Sequence, residues 1–155
     1  MARVIFYHIT RGTLEETLTQ ILERALAAGM QVDLRGADAA RLDHLDQALW
    51  LGAEDGFLPH GLAGGRHDAA QPVLLTTATT ARAGTACVMA VDGAGVTPDE
   101  ALRLDRVCIL FDGRDEAAVA GARTQWRSLV GAGAPAEYWS QEDGPWRLKT
   151  ASART

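Results

Sequence analysis

The sequence predicts an α/β fold, in which a mainly parallel sheet is covered by helices. Strand-like apolar runs alternate with segments of helical periodicity along the chain, and this alternation favours parallel strands. The length of 155 residues suits a single globular domain. With 47% hydrophobic and 23% charged residues, the composition is too apolar for a disordered chain.

The first strand and helix have the clearest signals. Residues 3–9 form an apolar, strand-like run, and Thr13 with Glu16 makes a capping box that predicts the start of a helix. Apolar residues then recur at helical spacing as far as Gly29, which is a plausible C-terminal cap.

The same strand-then-helix unit follows at once. Residues 30–35 alternate with a period of two, and a helix from about Asp38 carries Leu42, Leu45 and Leu49 on one stripe. The remaining predicted elements are strands at 72–76, 86–91, 104–111 and 136–141, a short helix at 98–102 and a long helix at 114–130. We expect one domain over residues 1–143 and a frayed polar tail over 144–155.

Charge and cysteine content exclude several classes of protein. The net charge of -5 argues against non-specific binding to duplex DNA. No apolar stretch approaches the roughly 18 residues of a membrane-spanning helix, and the start has no signal-peptide pattern, so we expect a cytoplasmic protein without membrane contact. Cys87 and Cys108 lie in separate apolar runs, which predicts buried reduced thiols.

No motif supports catalysis or a metal site. The four histidines lack metal-ligand spacing and have no cysteine partners, and no nucleophile elbow is present. An alternative function is nucleotide binding at the first strand-to-helix turn, Arg11 to Thr13, where an α/β fold can hold a phosphate. That turn has a single glycine, and neither Gly-rich segment matches a phosphate-binding motif.

Two surfaces are candidates for partner binding. Trp50 lies at the edge of the apolar stripe of its helix, and Phe57, Leu58 and Pro59 follow in a long irregular loop. These residues either close the core beneath the loop or offer an apolar patch to a partner. His60 in this loop is expected to be a hydrogen-bonding anchor rather than a ligand.

The last long helix carries the second surface. Arg123 and Arg127 lie roughly 60 and 100 degrees from Trp126 on the same side of the helix. One interpretation is a core Trp with two solvated Arg. The other is a pocket for an acidic or carboxylate-ended peptide, in which Arg pairs with carboxylate and Trp126 stacks on an apolar side chain.

Several segments together resemble the chi subunit family of bacterial DNA polymerase III. The resemblance is carried by the opening Val4 to His8, by Ala48-Leu49-Trp50, by Phe57-Leu58-Pro59-His60 with Leu62-Ala63-Gly64, and by the helix from Arg123 to Trp126. It implies a three-layer, Rossmann-like α/β fold without a working nucleotide site. It also implies a non-catalytic accessory subunit that needs no cofactor.

The resemblance further implies two protein partners. One is the psi subunit of the clamp loader, with a docking surface at Trp50, Phe57, Leu58, Pro59 and His60. The other is single-stranded DNA-binding protein, whose acidic C-terminal tail would bind Arg123, Trp126 and Arg127. DNA would then be contacted mainly indirectly. Direct binding of single-stranded DNA through Arg and aromatic residues ranks below both, because the net charge opposes it.

Overall fold

The computed structural model describes residues 4–52, 59–142 and 144–152, and for residues 50–52 it describes the backbone alone. The predicted alternation of strands and helices is confirmed. The helices are α1 (Leu14–Ala27), α2 (Ala39–Gly52), α3 (Pro98–Arg103) and α4 (Glu116–Gly131). The strands are β1 (Val4–Ile9), β2 (Val32–Arg35), β3 (Gly61–Leu62), β4 (Val73–Thr76), β5 (Cys87–Ala90), β6 (Arg106–Asp112), β7 (Ala136–Ser140) and β8 (Arg147–Ser152).

The strands form one sheet in the order β3-β4-β2-β5-β6-β1-β7-β8. The neighbouring strands are parallel, apart from β7 and β8, which pair antiparallel. A mainly parallel sheet was expected because helical segments separate several of the predicted strands.

Helices cover both faces of the sheet, which gives three layers. On one face, α1 and α2 bury Leu18, Leu22, Leu45 and Leu49 against β2, β4, β5 and β6. On the other, α3 and α4 bury Ala101, Ala122 and Leu129 against residues such as Phe6 of β1. The predicted three-layer α/β class is therefore confirmed.

The predicted capping box at the start of α1 is also present. The Thr13 hydroxyl accepts a hydrogen bond from the Glu16 backbone N–H at 3.1 Å, and the Glu16 carboxylate accepts one from the Thr13 N–H at 3.1 Å. Cys87 and Cys108 are free and buried, as predicted. Their contact and their burial raise the pKa of the Cys108 thiol, which keeps it protonated.

The end of the chain corrects one expectation. We expected a frayed tail from residue 144, but Arg147–Ser152 forms β8, which pairs with β7 from Ser140↔Arg147 to Ala136↔Ser152. Its side chains are nearly all exposed, so the segment has the polar character of a tail while its backbone is held by the ladder. A bulge between Tyr138 and Trp139 accommodates one extra residue on β8.

Two buried charges on β2 contradict the simple interpretation of its alternating pattern. Asp33 and Arg35 are buried, although a period of two places such residues on a solvated face. Asp33 contacts the Arg82 guanidinium, and Arg35 forms a two-pronged ion pair with Glu100 at 2.8 and 2.9 Å. Each buried charge is therefore compensated, Asp33 by Arg82 of the loop before β5 and Arg35 by Glu100 of α3.

Candidate functional site

Helix α4 presents the candidate site along the edge that faces β7. Asp115 caps its N-terminus by accepting hydrogen bonds from the N–H groups of Ala117 and Ala118. Ala122 and Leu129 are buried, so the helix has a fixed rotation on the sheet, where it packs against β6 and β7. That rotation turns Trp126 toward β7 and leaves Arg123 and Arg127 exposed.

An aromatic cluster supports this edge of α4 from below. The ring centroid of Trp126 lies 5.3 Å from that of Phe6 and 6.0 Å from that of Tyr138, both in edge-to-face geometry. Trp126 and Tyr138 are half-buried. Trp126 therefore packs on the core with part of its surface while the rest stays accessible, and the pocket for an acidic peptide stays a prediction.

The surroundings of Tyr138 join this cluster to polar groups. Its hydroxyl lies 2.9 Å from Nδ1 of the buried His8. Burial raises the pKa of the Tyr138 phenol, and the nearby Arg123 guanidinium acts in the opposite direction. The phenol thus stays neutral at pH 7 and can donate or accept a hydrogen bond beside the Arg123 cation.

The second predicted surface is described only in part. Phe57 and Leu58 lie outside the described residues, as does the side chain of Trp50 in α2. Pro59 is half-buried. His60 is buried, and its Nε2 lies 3.1 Å from the backbone oxygen and 3.2 Å from the carboxylate of Asp46. His60 is therefore an anchor that holds the loop against α2, as predicted.

A cleft of about 900 Å³ lies at the carboxyl ends of β1, β5 and β6. Open α/β sheets bind ligands at this edge, so the cleft is where the predicted alternative function would have its site. Arg41 crosses it and pairs with Glu15 at 3.0 Å and with Asp92 at 2.9 Å. Other carboxylates in its wall are Asp112 and Asp115.

The helix termini at this cleft are already capped by side chains of the chain itself. Thr13 and Glu16 occupy N–H groups at the start of α1, and Asp115 occupies those of α4. A phosphate would have to displace these side chains and approach the carboxylates of the wall, where Arg41 and Arg114 are already paired with Glu15, Asp92 and Asp112. The geometry therefore disfavours nucleotide binding at Arg11 to Thr13.

Other kinds of site receive no support from the part of the chain that the structure describes. Within residues 4–52, 59–142 and 144–152 there is no group of three or more His, Cys, Asp or Glu side chains that could hold a metal ion. Among the same residues, no helix combines the length and apolar character needed to cross a membrane.

Comparison with known proteins decides the family. The model of the family described as "DNA polymerase III chi subunit, HolC" matches residues 1–137, which is most of the chain. The chain belongs to the DNA polymerase III chi subunit family. A relative from Pseudomonas aeruginosa, named DNA polymerase III subunit chi, is 40% identical over 78 residues. That alignment covers 48% of this chain and 54% of the relative, so it spans about half of each protein.

Within this chi-family chain, the candidate site includes residues that the sequence reasoning did not assign to it. Tyr138 and His8 come from β7 and β1, and only the adjacency of those strands brings them beneath α4. Tyr138 lies in the predicted strand 136–141, two residues from the buried Ala136 and Ser140, and an aromatic at such a position is the available signal. The sequence gives no comparable signal for β8, because its residues show no apolar alternation.

Proposed function

We propose that this chain is a non-catalytic accessory subunit that links the DNA polymerase III clamp loader to single-stranded DNA-binding protein during replication. The link to the clamp loader would run through psi, and the link to single-stranded DNA-binding protein through its acidic C-terminal tail. Membership of the chi family supports the association with the polymerase. The two contacts are argued from the surfaces below.

The observation that carries the tail contact is the arrangement on α4. Two exposed Arg side chains flank a Trp whose ring is held by Phe6 and Tyr138. A guanidinium presents a planar fork of N–H donors that matches a carboxylate, including the terminal carboxylate of a peptide. The accessible part of the Trp126 ring offers apolar area to the last side chain of the tail.

The psi contact is proposed on the surface around α2. Trp50, Phe57, Leu58, Pro59 and His60 would form it, with His60 as a positioning residue because its ring is buried against Asp46. Its role would be to fix Pro59 and the residues before it at the surface. A docking patch on a loop needs such an anchor, since a mobile loop loses conformational entropy on binding.

Peptide titration tests the tail contact. A synthetic peptide with several Asp residues and a hydrophobic C-terminal residue should bind the wild-type chain. Arg127→Glu should weaken that binding by at least about tenfold, because it replaces an attractive charge by a repulsive one. Arg66→Glu, an exposed charge reversal near β3 at the opposite edge of the sheet, is the control and should leave the affinity unchanged.

Unchanged affinity in Arg127→Glu would remove Arg127 from the assignment. Amidation of the peptide C-terminus provides a second check, since it deletes the carboxylate and should weaken binding of the wild-type chain. The salt dependence is expected to be steep, because the Arg side chains are exposed and their interactions are screened.

A further inference from the structure

Strand β8 contributes side chains to the same face of the sheet on which α4 packs. Paired residues of adjacent strands point to the same face of a sheet. Thr150 pairs with Tyr138, and Arg147 pairs with Ser140, which is two residues from Tyr138 on β7 and points to the same side. The side chains of Arg147 and Thr150 therefore share the sheet face of Tyr138. This is the face on which Trp126 of α4 contacts Tyr138. The ring of Tyr138, on β7, therefore lies between α4 and β8 on this face, and we refer to the surface that α4, Tyr138 and β8 form together as the groove.

The walls of this groove are basic. Arg123 and Arg127 line the α4 side and are exposed. On the β8 side, Arg147 is exposed, and the Lys149 ammonium reaches the same face, where it lies 3.9 Å from Glu142. Four cations thus border one groove in a chain whose net charge is -5.

The carboxylate of Glu142, a residue of the chain itself, also lies at the groove. Glu142 follows β7 and places Oε1 4.0 Å from Nδ1 of His8, while its Oε2 is the partner of Lys149. Its side chain is 53% exposed. Both separations are longer than a hydrogen bond, and water screens an exposed pair, so Glu142 is held weakly.

We propose that the acidic-peptide site extends from α4 across Tyr138 onto β8, and that Glu142 is an internal carboxylate that an acidic residue of the peptide replaces. The inference rests on the proposed function, because it assigns further residues to the same site. Arg147 and Lys149 would bind the acidic residues that precede the peptide terminus, while Arg123 and Arg127 bind the terminus itself. The complementary charge of the groove identifies an acidic peptide as its occupant.

Two substitutions of opposite effect test the extension. Glu142→Gln removes the competing carboxylate and should tighten binding of the same synthetic peptide about two- to fivefold, the range expected for an exposed ion pair. Arg147→Glu should weaken binding at least about threefold and reduce its salt dependence. Glu23→Gln on α1 and Arg66→Glu are matched controls, because both positions are exposed and remote from the groove.

The outcomes separate this inference from the proposed function. Opposite changes in Glu142→Gln and Arg147→Glu, with unchanged controls, would support the extension. If both variants bind like the controls while Arg127→Glu binds more weakly, the site is confined to α4 and only the extension fails. If the wild-type chain does not bind the peptide, the proposed tail contact fails and the extension fails with it. Equal unfolding midpoints of all variants would show that folding is intact.

Discussion

The packing beneath the candidate site depends on a glycine just after β6. A Cβ on Gly113 would lie 1.8 Å from Cδ2 and 2.0 Å from Nε2 of His8, and 2.9 Å from Cγ2 of Thr10. Because the His8 ring is buried between Phe111 and Tyr138, it has little room to move. The small size of glycine is therefore the requirement at this position.

Replacing Gly113 by Ala should thus destabilise the fold. We expect Gly113→Ala to lower the free energy of unfolding by about 1–3 kcal/mol, the usual cost of overpacking. Gly121→Ala is the matched control, since a Cβ there meets no atom within 4 Å and the residue lies in α4. It should raise the free energy of unfolding by about 0.5–1 kcal/mol. Urea denaturation measures both, and equal stability of the two variants would contradict the placement of His8.

Protonation of the buried Glu100 should change the stability of the fold. Its carboxylate accepts hydrogen bonds from both Arg35 Nη atoms and from the Ala81 N–H at 3.0 Å. The Arg35 guanidinium holds the pKa of Glu100 below its ordinary value of 4.5. The carboxylate therefore contributes stability at pH values above 4.5, and this contribution is lost as the pH falls through the lower, folded-state pKa.

Glu100→Gln should cost about 3–5 kcal/mol at pH 7, because it leaves the Arg35 cation buried without a counter-charge. The difference from the wild-type chain should shrink as the pH is lowered below 4.5, where protonated Glu100 resembles Gln. Asp112→Asn is the control and should cost less than about 1 kcal/mol, since its pair with Arg114 is half-exposed. Urea unfolding over a pH series provides the measurement. A pH-independent difference would be inconsistent with this role.

At the scale of elements, local signals predicted most of the fold. Helix α1 follows from Thr13, Glu16 and the apolar stripe because capping and helical periodicity act within a few residues of each other. Strand β8 could not be predicted in this way, since its exposed side chains carry no pattern and only its pairing with β7 defines it. The short strand β3 was missed for a similar reason.

The burial of the β2 charges and the composition of the α4 site both depend on contacts between residues that are far apart in the sequence. Asp33 and Arg35 look like solvated positions because their partners, Arg82 and Glu100, are 49 and 65 residues away. The Arg123-Trp126-Arg127 edge was predictable from one helix. The positions of Tyr138 and of the β8 side chains beside that edge depend on strand order, which a single sequence does not specify.

The helix termini at the cleft lead to a prediction about ligands. Because the Thr13–Glu16 capping box occupies the start of α1 and Asp115 caps α4, a nucleotide phosphate would have to compete with side chains at both helix termini. A panel of nucleotides at millimolar concentration should therefore leave the Tm unchanged in a thermal shift assay. A rise of several degrees with one nucleotide would indicate specific binding, and would favour the alternative function at Arg11 to Thr13.

At the scale of the whole molecule, the two proposed partner surfaces are well separated. Helix α2 packs on β3 and β4, and α4 packs on β6 and β7 on the opposite face of the sheet. Two partners could bind these surfaces without competing for the same residues. A weak tail contact would then gain strength from local concentration, because the proposed psi contact would hold this chain on the clamp loader, close to the coated DNA.

The net charge of -5 has a consequence at the same scale. It opposes direct association with DNA, which depends on accumulated positive charge, while the four cations of the α4 and β8 groove favour an acidic protein segment. The account therefore assigns contact with DNA to single-stranded DNA-binding protein and contact with that protein to this chain.

The most direct test measures binding of the chain to single-stranded DNA coated with single-stranded DNA-binding protein, with and without the acidic C-terminal tail of that protein. We predict clear binding to DNA coated with the full-length protein. Deleting the tail should reduce the affinity at least about tenfold, to the level of uncoated DNA. Equal binding to both coated forms, or strong binding to uncoated DNA, would contradict the account.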